Sequence, residues 1–287
     1  MMAENPTSGE TLSLPIARVA LPPSGPVPLE RLQEQVTDIP FFRALLRAFE
    51  AHFFRLLRLP EPVLDLGCGD GHFAYWAYGD RRPIGLDPWW PALREAQRWR
   101  AHRGWVCADG AAMPFPSGAF ASVVSNSVLE HIPHLDAVLQ ETARVLQPGG
   151  WLVFSVPNHR FARMLSLARW SERVGLKGVA RRYRAWFQRI SRHVHCDAPE
   201  VWVPRLERAG FQVVLWWHYF PPAALRALEW GHYLGLPSLL TRILTGRWTW
   251  TRAPWNFRLV VAWLRRYLGQ AVDPQGTYTF YIARKAS

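Results

Sequence analysis

Cysteine is scarce in this 287-residue chain: Cys68, Cys107 and Cys196 are the three, and none stands in a C-x-x-C pair. An odd number without paired spacing supports neither a disulfide framework nor a zinc ribbon and points to a reducing, cytoplasmic setting. Long apolar runs are also missing. The nearest, 211–225, is interrupted by Gln212, His218, Pro221 and Pro222, short of the roughly 18 residues that suggest a membrane span. Residues 1–28 carry acids before their first arginine and are broken by prolines, which fits neither a signal nor a transit peptide. They read as part of a loose tail over 1–39. Acids become rare in the second half: residues 151–287 hold six against 21 Lys and Arg, whereas residues 1–150 hold 16 acids against 13 arginines. The basic half also holds 11 of the 16 tryptophans. That asymmetry suggests two layers, one reading a fixed ligand and the other meeting an anionic or interfacial partner.

What is present is a globular chain, 49% apolar, with room for one large domain and an elaboration. Residues 41–59 carry apolar side chains at helical spacing, and Pro60 and Pro62 stop that helix. Short apolar runs then follow at 63–66, 83–86, 105–108, 121–125 and 151–156, separated by helical segments such as 90–102 and 135–146. The alternation predicts an α/β fold: a doubly wound, mostly parallel sheet with helices on both faces. Two last strands are expected at 211–217 and 277–283. The D-x-x-E of Asp197 to Glu200 has the form of a capping box for a helix closing at Gly210.

The first strand runs into VLDLGCGDGHF, with Gly67, Gly69 and Gly71 at alternate positions. Bare backbone there lets a ligand approach the main chain above a helix amino terminus. A dinucleotide fingerprint counted from Gly67 would want Gly or Ala where His72 stands, which counts against a pyrophosphate. Asp87 ends the second strand in PIGLD, where a carboxylate would accept from ribose hydroxyls. Asp109 follows the third strand and could accept from an exocyclic amine. Singly, Asp65 could be a loop cap and Asp109 a turn residue; together, three acids at successive strand ends without a phosphate-loop lysine suggest a nucleoside that is not an anion.

In VLDLGCGDGHF, GLDPWW, ADGAAMPFP, FASVVSNSVLEHI and ARVLQPGGWLVFSVPN, in this order, the sequence resembles the class I S-adenosylmethionine-dependent methyltransferases. The nearest pattern is the small-molecule branch that includes quinone-biosynthesis enzymes. The resemblance implies a seven-stranded Rossmann-like sheet and S-adenosylmethionine as cofactor. It puts Asp65 near the cofactor's ammonium, Gly67, Cys68 and Gly69 against its methionine part, Asp87 on the ribose, Asp109 and Gly110 at the adenine, and Ser125 and Asn126 at the same cleft. Trp89 could flank adenine or pack in the core. A sulfonium cation suits an acidic rim. Cys68 and Cys107 read as small apolar fillers.

The methyl acceptor is expected over the carboxyl ends of strands four and five, above Ser125 to Ser127 and Pro157 to His159. His131, His193 and His195 are the candidate bases, although His131 reads more strongly as an ordering residue of the LEHI turn. The H-x-H-C at 193–196 lacks a fourth ligand, so no metal is expected. SNSVLEHI stands where base-modifying amine methyltransferases carry Asn or Asp with Pro-Pro and an aromatic, which disfavours nucleic acid. Segments 159–196 and 221–275 read as basic, tryptophan-rich helical cap insertions into a core of 40–158, 197–220 and 276–287. Val179, Tyr183, Trp186, Phe187 and Ile190 form one apolar helical face among arginines. Such a cap would close over a small, lipophilic acceptor and touch an anionic membrane surface. An RNA substrate and a scaffold without turnover are the alternatives.

Overall fold

A computed structural model describes residues 12–234 and 257–286. Seven strands form one sheet: β1 Val63–Leu66, β2 Ile84–Leu86, β3 Gly104–Val106, β4 Phe120–Asn126, β5 Leu146–Pro157, β6 Phe211–Tyr219 and β7 Tyr278–Lys285. Their order is β3-β2-β1-β4-β5-β7-β6. The first five pair in parallel, and β7 lies antiparallel between β5 and β6. All four residues of β1 are buried, as expected of a strand covered on both faces. Because β2 and β4 flank β1 on opposite sides, the crevice above its carboxyl end is the switch point where such sheets bind ligands.

Helices cover both faces. α1 Leu29–Val36 and α2 Phe41–Arg55 precede the sheet, α3 His72–Ala77, α4 Trp90–Ala96 and α5 Leu135–Val145 lie between strands, α6 Arg160–Arg163, α7 Ser166–Arg173 and α8 Lys177–Ile190 follow β5, and α9 Pro199–Arg208 and α10 Pro222–Leu234 flank β6. One core sets Leu64, Leu66, Val123, Leu152 and Phe154 against α5 and against Trp202 and Leu206 of α9. The other sets Val63, Val124 and Val153 against α2, whose Phe53 meets Trp217, Tyr219 and Phe280. No helix among the described residues is long and apolar enough to cross a membrane.

The loose tail expected over 1–39 is corrected from Leu12 onward. Ile16, Leu21, Val27, Leu32 and Val36 are buried in the α2 core, Arg18 N donates to Leu56 O and Arg58 N to Ile16 O. Its prolines shape turns, while enough large aliphatics remain to hold the segment down. The capping box is not formed either: α9 starts at Pro199 after Ala198 without a side-chain cap, and Asp197 instead accepts from Arg205. Proline at the first helical position needs no donor, which suffices.

The helices of the basic insertions converge on one buried acid. Glu229 of α10 accepts from the main-chain N–H of Ser166 (2.6 Å) and Leu167 (3.2 Å) at the start of α7, and from the Tyr183 hydroxyl of α8 (2.7 Å). On α8, Ala180 and Phe187 are buried while Val179, Trp186 and Ile190 are exposed, so the single apolar face expected there is split between core and surface. The expected apolar and basic residues from Leu236 to Trp255 lie outside the described residues.

Candidate active site

The loop after β1 is fastened from below. The N–H groups of Gly67 and Cys68 both donate to Leu86 O of β2, at 2.7 and 3.1 Å. Gly67 has φ +78, and a Cβ there would lie 2.4 Å from Val128. Gly69 has φ +54, and a Cβ there would meet nothing within 4 Å. One glycine is therefore required by packing, the other by left-handed backbone facing open space. Cys68 is buried, and burial pushes its thiol far up, so it stays neutral. Cys107, expected as a filler, is exposed.

Asp87 joins the tips of two loops. One oxygen accepts from Gly69 N at 3.0 Å and the other from Trp89 N at 2.9 Å. Partial burial holds its carboxyl above the usual range, against the lowering effect of those two amides. Each oxygen keeps a lone pair for a further donor. Trp89 is 65% exposed beside it, which removes core packing as its role. Asp109 is exposed and accepts from Ala111 N at 2.8 Å, a turn geometry. Gly110 is packed, its missing Cβ 3.2 Å from Leu66.

Asp65 lies beneath the loop. It is 4% exposed, and its two oxygens accept from the Tyr78 hydroxyl at 3.1 Å and from His102 Nε2 at 2.9 Å. Ser125 and Asn126 are likewise committed within the protein. Ser125 Oγ donates to Leu66 O at 3.0 Å, and Asn126 donates to Glu50 at 2.9 Å while accepting from Ser155 at 2.7 Å. Glu50, fully buried on α2, also takes hydrogen bonds from Ser127 (2.8 Å) and Tyr219 (3.1 Å) and pairs with Arg47. This acid organises the floor at the end of β4.

The three candidate histidines separate. His131 and His193 have ring centroids 5.3 Å apart. His195 does not join them: its Nε2 bonds Ile132 O at 3.1 Å and its other nitrogen lies 3.5 Å from Asp197. Burial lowers His131 below the usual imidazole range and takes His193 down to about 3. Both are neutral near pH 7 and weak proton acceptors. Near both lies Glu130, buried, with its carboxyl pushed up to about 8 by burial.

A family model described as "Methyltransferase domain" matches residues 64–154, the span holding the glycine loop, Asp87, Asp109 and the LEHI turn. Malonyl-[acyl-carrier protein] O-methyltransferase of Pseudescherichia vulneris is 35% identical over 99 residues, covering 34% of this chain and 39% of that protein. Ubiquinone biosynthesis O-methyltransferase of Chromobacterium violaceum is 33% identical over 105 residues, covering 34% and 45%. Residues 64–154 are a class I S-adenosylmethionine-dependent methyltransferase domain.

The match spans less than half the length of those two relatives. The crystal structure of the [4+2]-cyclase SpnF is similar to this chain at a TM-score of 0.52 and 20% identity, over 86% of this chain and 81% of that one. That likeness shows the fold, and a fold hosts more than one chemistry. Sequence reasoning pointed to the acids at the strand ends and missed two other buried acids. Glu50 gathers Asn126, Ser127 and Tyr219 from distant elements, Glu130 is buried against a segment far along the chain, and only Arg47 three residues before Glu50 hinted at a pair.

Proposed function

We propose that this chain transfers a methyl group from S-adenosylmethionine to a small, lipophilic acceptor held under the basic cap. The observation that carries the reading is the open space over Gly69 beside a carboxylate, Asp87, that links the loops after β1 and β2. The residues fit the cofactor: bare main chain admits its methionine part, Asp87 retains lone pairs for ribose hydroxyls, and exposed Trp89 offers a ring face for adenine. Asp65 acts from below, its charge held under the loop by Tyr78 and His102, where it favours a cation above. Asp109 and Gly110 shape the adenine edge. When bound, the cofactor supplies a sulfonium methyl that is displaced in line, so the chain's main contribution is positioning.

Asn126 and Ser127, locked by Glu50, and Ser125, held to Leu66 O, form the floor on which the acceptor rests. His131, 40% exposed at its side chain, follows that floor in the chain, with the His193 ring 5.3 Å from its own. Both malonyl-[acyl-carrier protein] and ubiquinone-pathway relatives are named as O-methyltransferases, which supports an oxygen acceptor here. Calorimetric titration with S-adenosylmethionine tests the reading: binding that falls at least about tenfold in Asp87→Ala is expected, and no binding to the native chain would favour a scaffold.

The cap supports a second role at an anionic membrane surface. Trp170, Val179, Trp186, Ile190 and Trp230 are exposed large apolar side chains, and Trp170 and Trp230 line grooves with Arg169, Arg173, Arg226 and Arg266. Indole with guanidinium suits the headgroup boundary. Flotation with phosphatidylserine vesicles should carry the protein upward, and a Trp170→Ala, Trp186→Ala double variant should stay below. Binding to single-stranded RNA that weakens steeply with salt would instead favour the nucleic-acid alternative.

A further inference from the structure

We propose that Glu130, His131 and His193 form a binding site for a divalent transition-metal cation. The three residues come from two separate segments. Glu130 and His131 end the 3-10 turn Leu129–His131 after β4; His193 follows α8 in the cap. Main-chain bonds from Val194 and His195 to Glu130 O, at 2.8 and 3.0 Å, bring the segments together. One ligand atom from each of the three side chains then lies within 4.8 Å of the other two.

The arrangement is made for a missing partner. Glu130 is 1% exposed, yet its Oε2 has no hydrogen-bond partner among the described residues, and neither has buried Nδ1 of His193. A buried carboxylate oxygen left unpaired is costly, and a cation is one remedy. The tautomer of His131 is fixed. Its Nδ1 lies 2.9 Å from Arg192 O, which can only accept, so Nδ1 carries the proton and Nε2 presents a lone pair, 3.8 Å from Glu130 Oε1. A ring N–H on a main-chain carbonyl is the outer support typical of metal-ligating histidines. Arg47 is ion-paired with Glu50 and not with Glu130, and an incoming cation would displace the proton that the buried Glu130 carboxyl otherwise holds.

Two imidazoles and one carboxylate select zinc, cobalt, manganese or iron over magnesium and calcium, and three protein ligands leave positions open. Exposure of His131 gives a route in. A consequence that rests on the methyl-transfer reading is that an acceptor hydroxyl bound at an open position would lose its proton more readily. The cation would then do what two neutral histidines do poorly. The sequence alone showed no such set, because H-x-H-C lacked further ligands and Glu130 read as part of a turn.

The test uses the full chain stripped with a chelator, dialysed against Co2+ and against Zn2+, with bound metal measured by mass spectrometry and Co2+ followed by its visible d–d bands. One equivalent per chain is expected, with the bands of a nitrogen and oxygen environment. His131→Asn, at a partly exposed position, and His193→Asn should each weaken binding by at least about tenfold. Sub-stoichiometric metal in the native chain, or unchanged affinity in both variants, overturns the site. Titration with S-adenosylmethionine, run in parallel, reports folding and separates failure of the metal site from failure of the methyltransferase reading.

Discussion

Asp65 and His102 meet at 2.9 Å beneath the glycine loop, a pair with side chains 5% and 0% exposed. The contact joins the end of β1 to the segment before β3 and fixes a negative charge under the ligand space. Replacing His102 with Ala leaves that carboxylate with Tyr78 as its remaining partner. A loss of about 3 kcal/mol is expected on urea unfolding. A change below about 0.5 kcal/mol would mean that water replaces the histidine.

The two loop glycines separate folding from binding. Gly67→Ala forces a methyl against Val128 as well as a strained φ, and should destabilise by about 3 kcal/mol. Gly69→Ala meets no atom within 4 Å, so its stability loss should stay near 1 kcal/mol, while its methyl fills the space the cofactor needs. Calorimetry of unfolding alongside cofactor titration checks both. A Gly69→Ala variant that binds S-adenosylmethionine normally would show that the ligand lies elsewhere.

His218 should make stability depend on pH. Its Nδ1 sits between the Thr279 hydroxyl at 2.8 Å and the Asn158 amide at 3.2 Å, and burial, with the charges of Arg160 and His159, lowers it from 6.5 to about 4. The unfolded chain therefore binds this proton more readily. The stabilisation is fully present above pH 6.5 and is lost as pH falls toward 4, by about 2–3 kcal/mol. His218→Gln should flatten the thermal midpoint across that window. An unaltered slope would assign the acid sensitivity to other groups.

Glu229 holds the cap by three hydrogen bonds. Glu229→Ala leaves the first N–H groups of α7 without their acceptor and should cost about 2–3 kcal/mol. Hydrogen exchange at Ser166 and Leu167 should speed up, with trypsin cleaving sooner in the arginine-rich α8. Unchanged exchange at both amides would mean that the cap is held by its apolar contacts instead.

The first strands were legible because they are short apolar runs between strong breakers. β1 follows the pattern to the residue, bounded by Pro62 and Gly67. α4 was read too long, to residue 102, because its periodicity continues after the helix ends at Ala96; His102 turns inward to Asp65, and Arg100 adopts φ +51 on the way. The packed segment from Leu12 was hidden by its prolines. Within the site, acids at strand ends could be read locally, whereas the buried partners of Asp65, the distant donors gathered by Glu50 and the burial of Glu130 follow from tertiary packing, which no local period encodes.

The cap's return segment is moored to the LEHI turn by main-chain groups, Val194 N and His195 N on Glu130 O. Such an anchor does not depend on which side chains stand at those positions. Whole insertions could thus be exchanged between relatives without redesigning the joint, and a chimaera carrying a foreign insertion would test directly whether this segment sets the choice of acceptor.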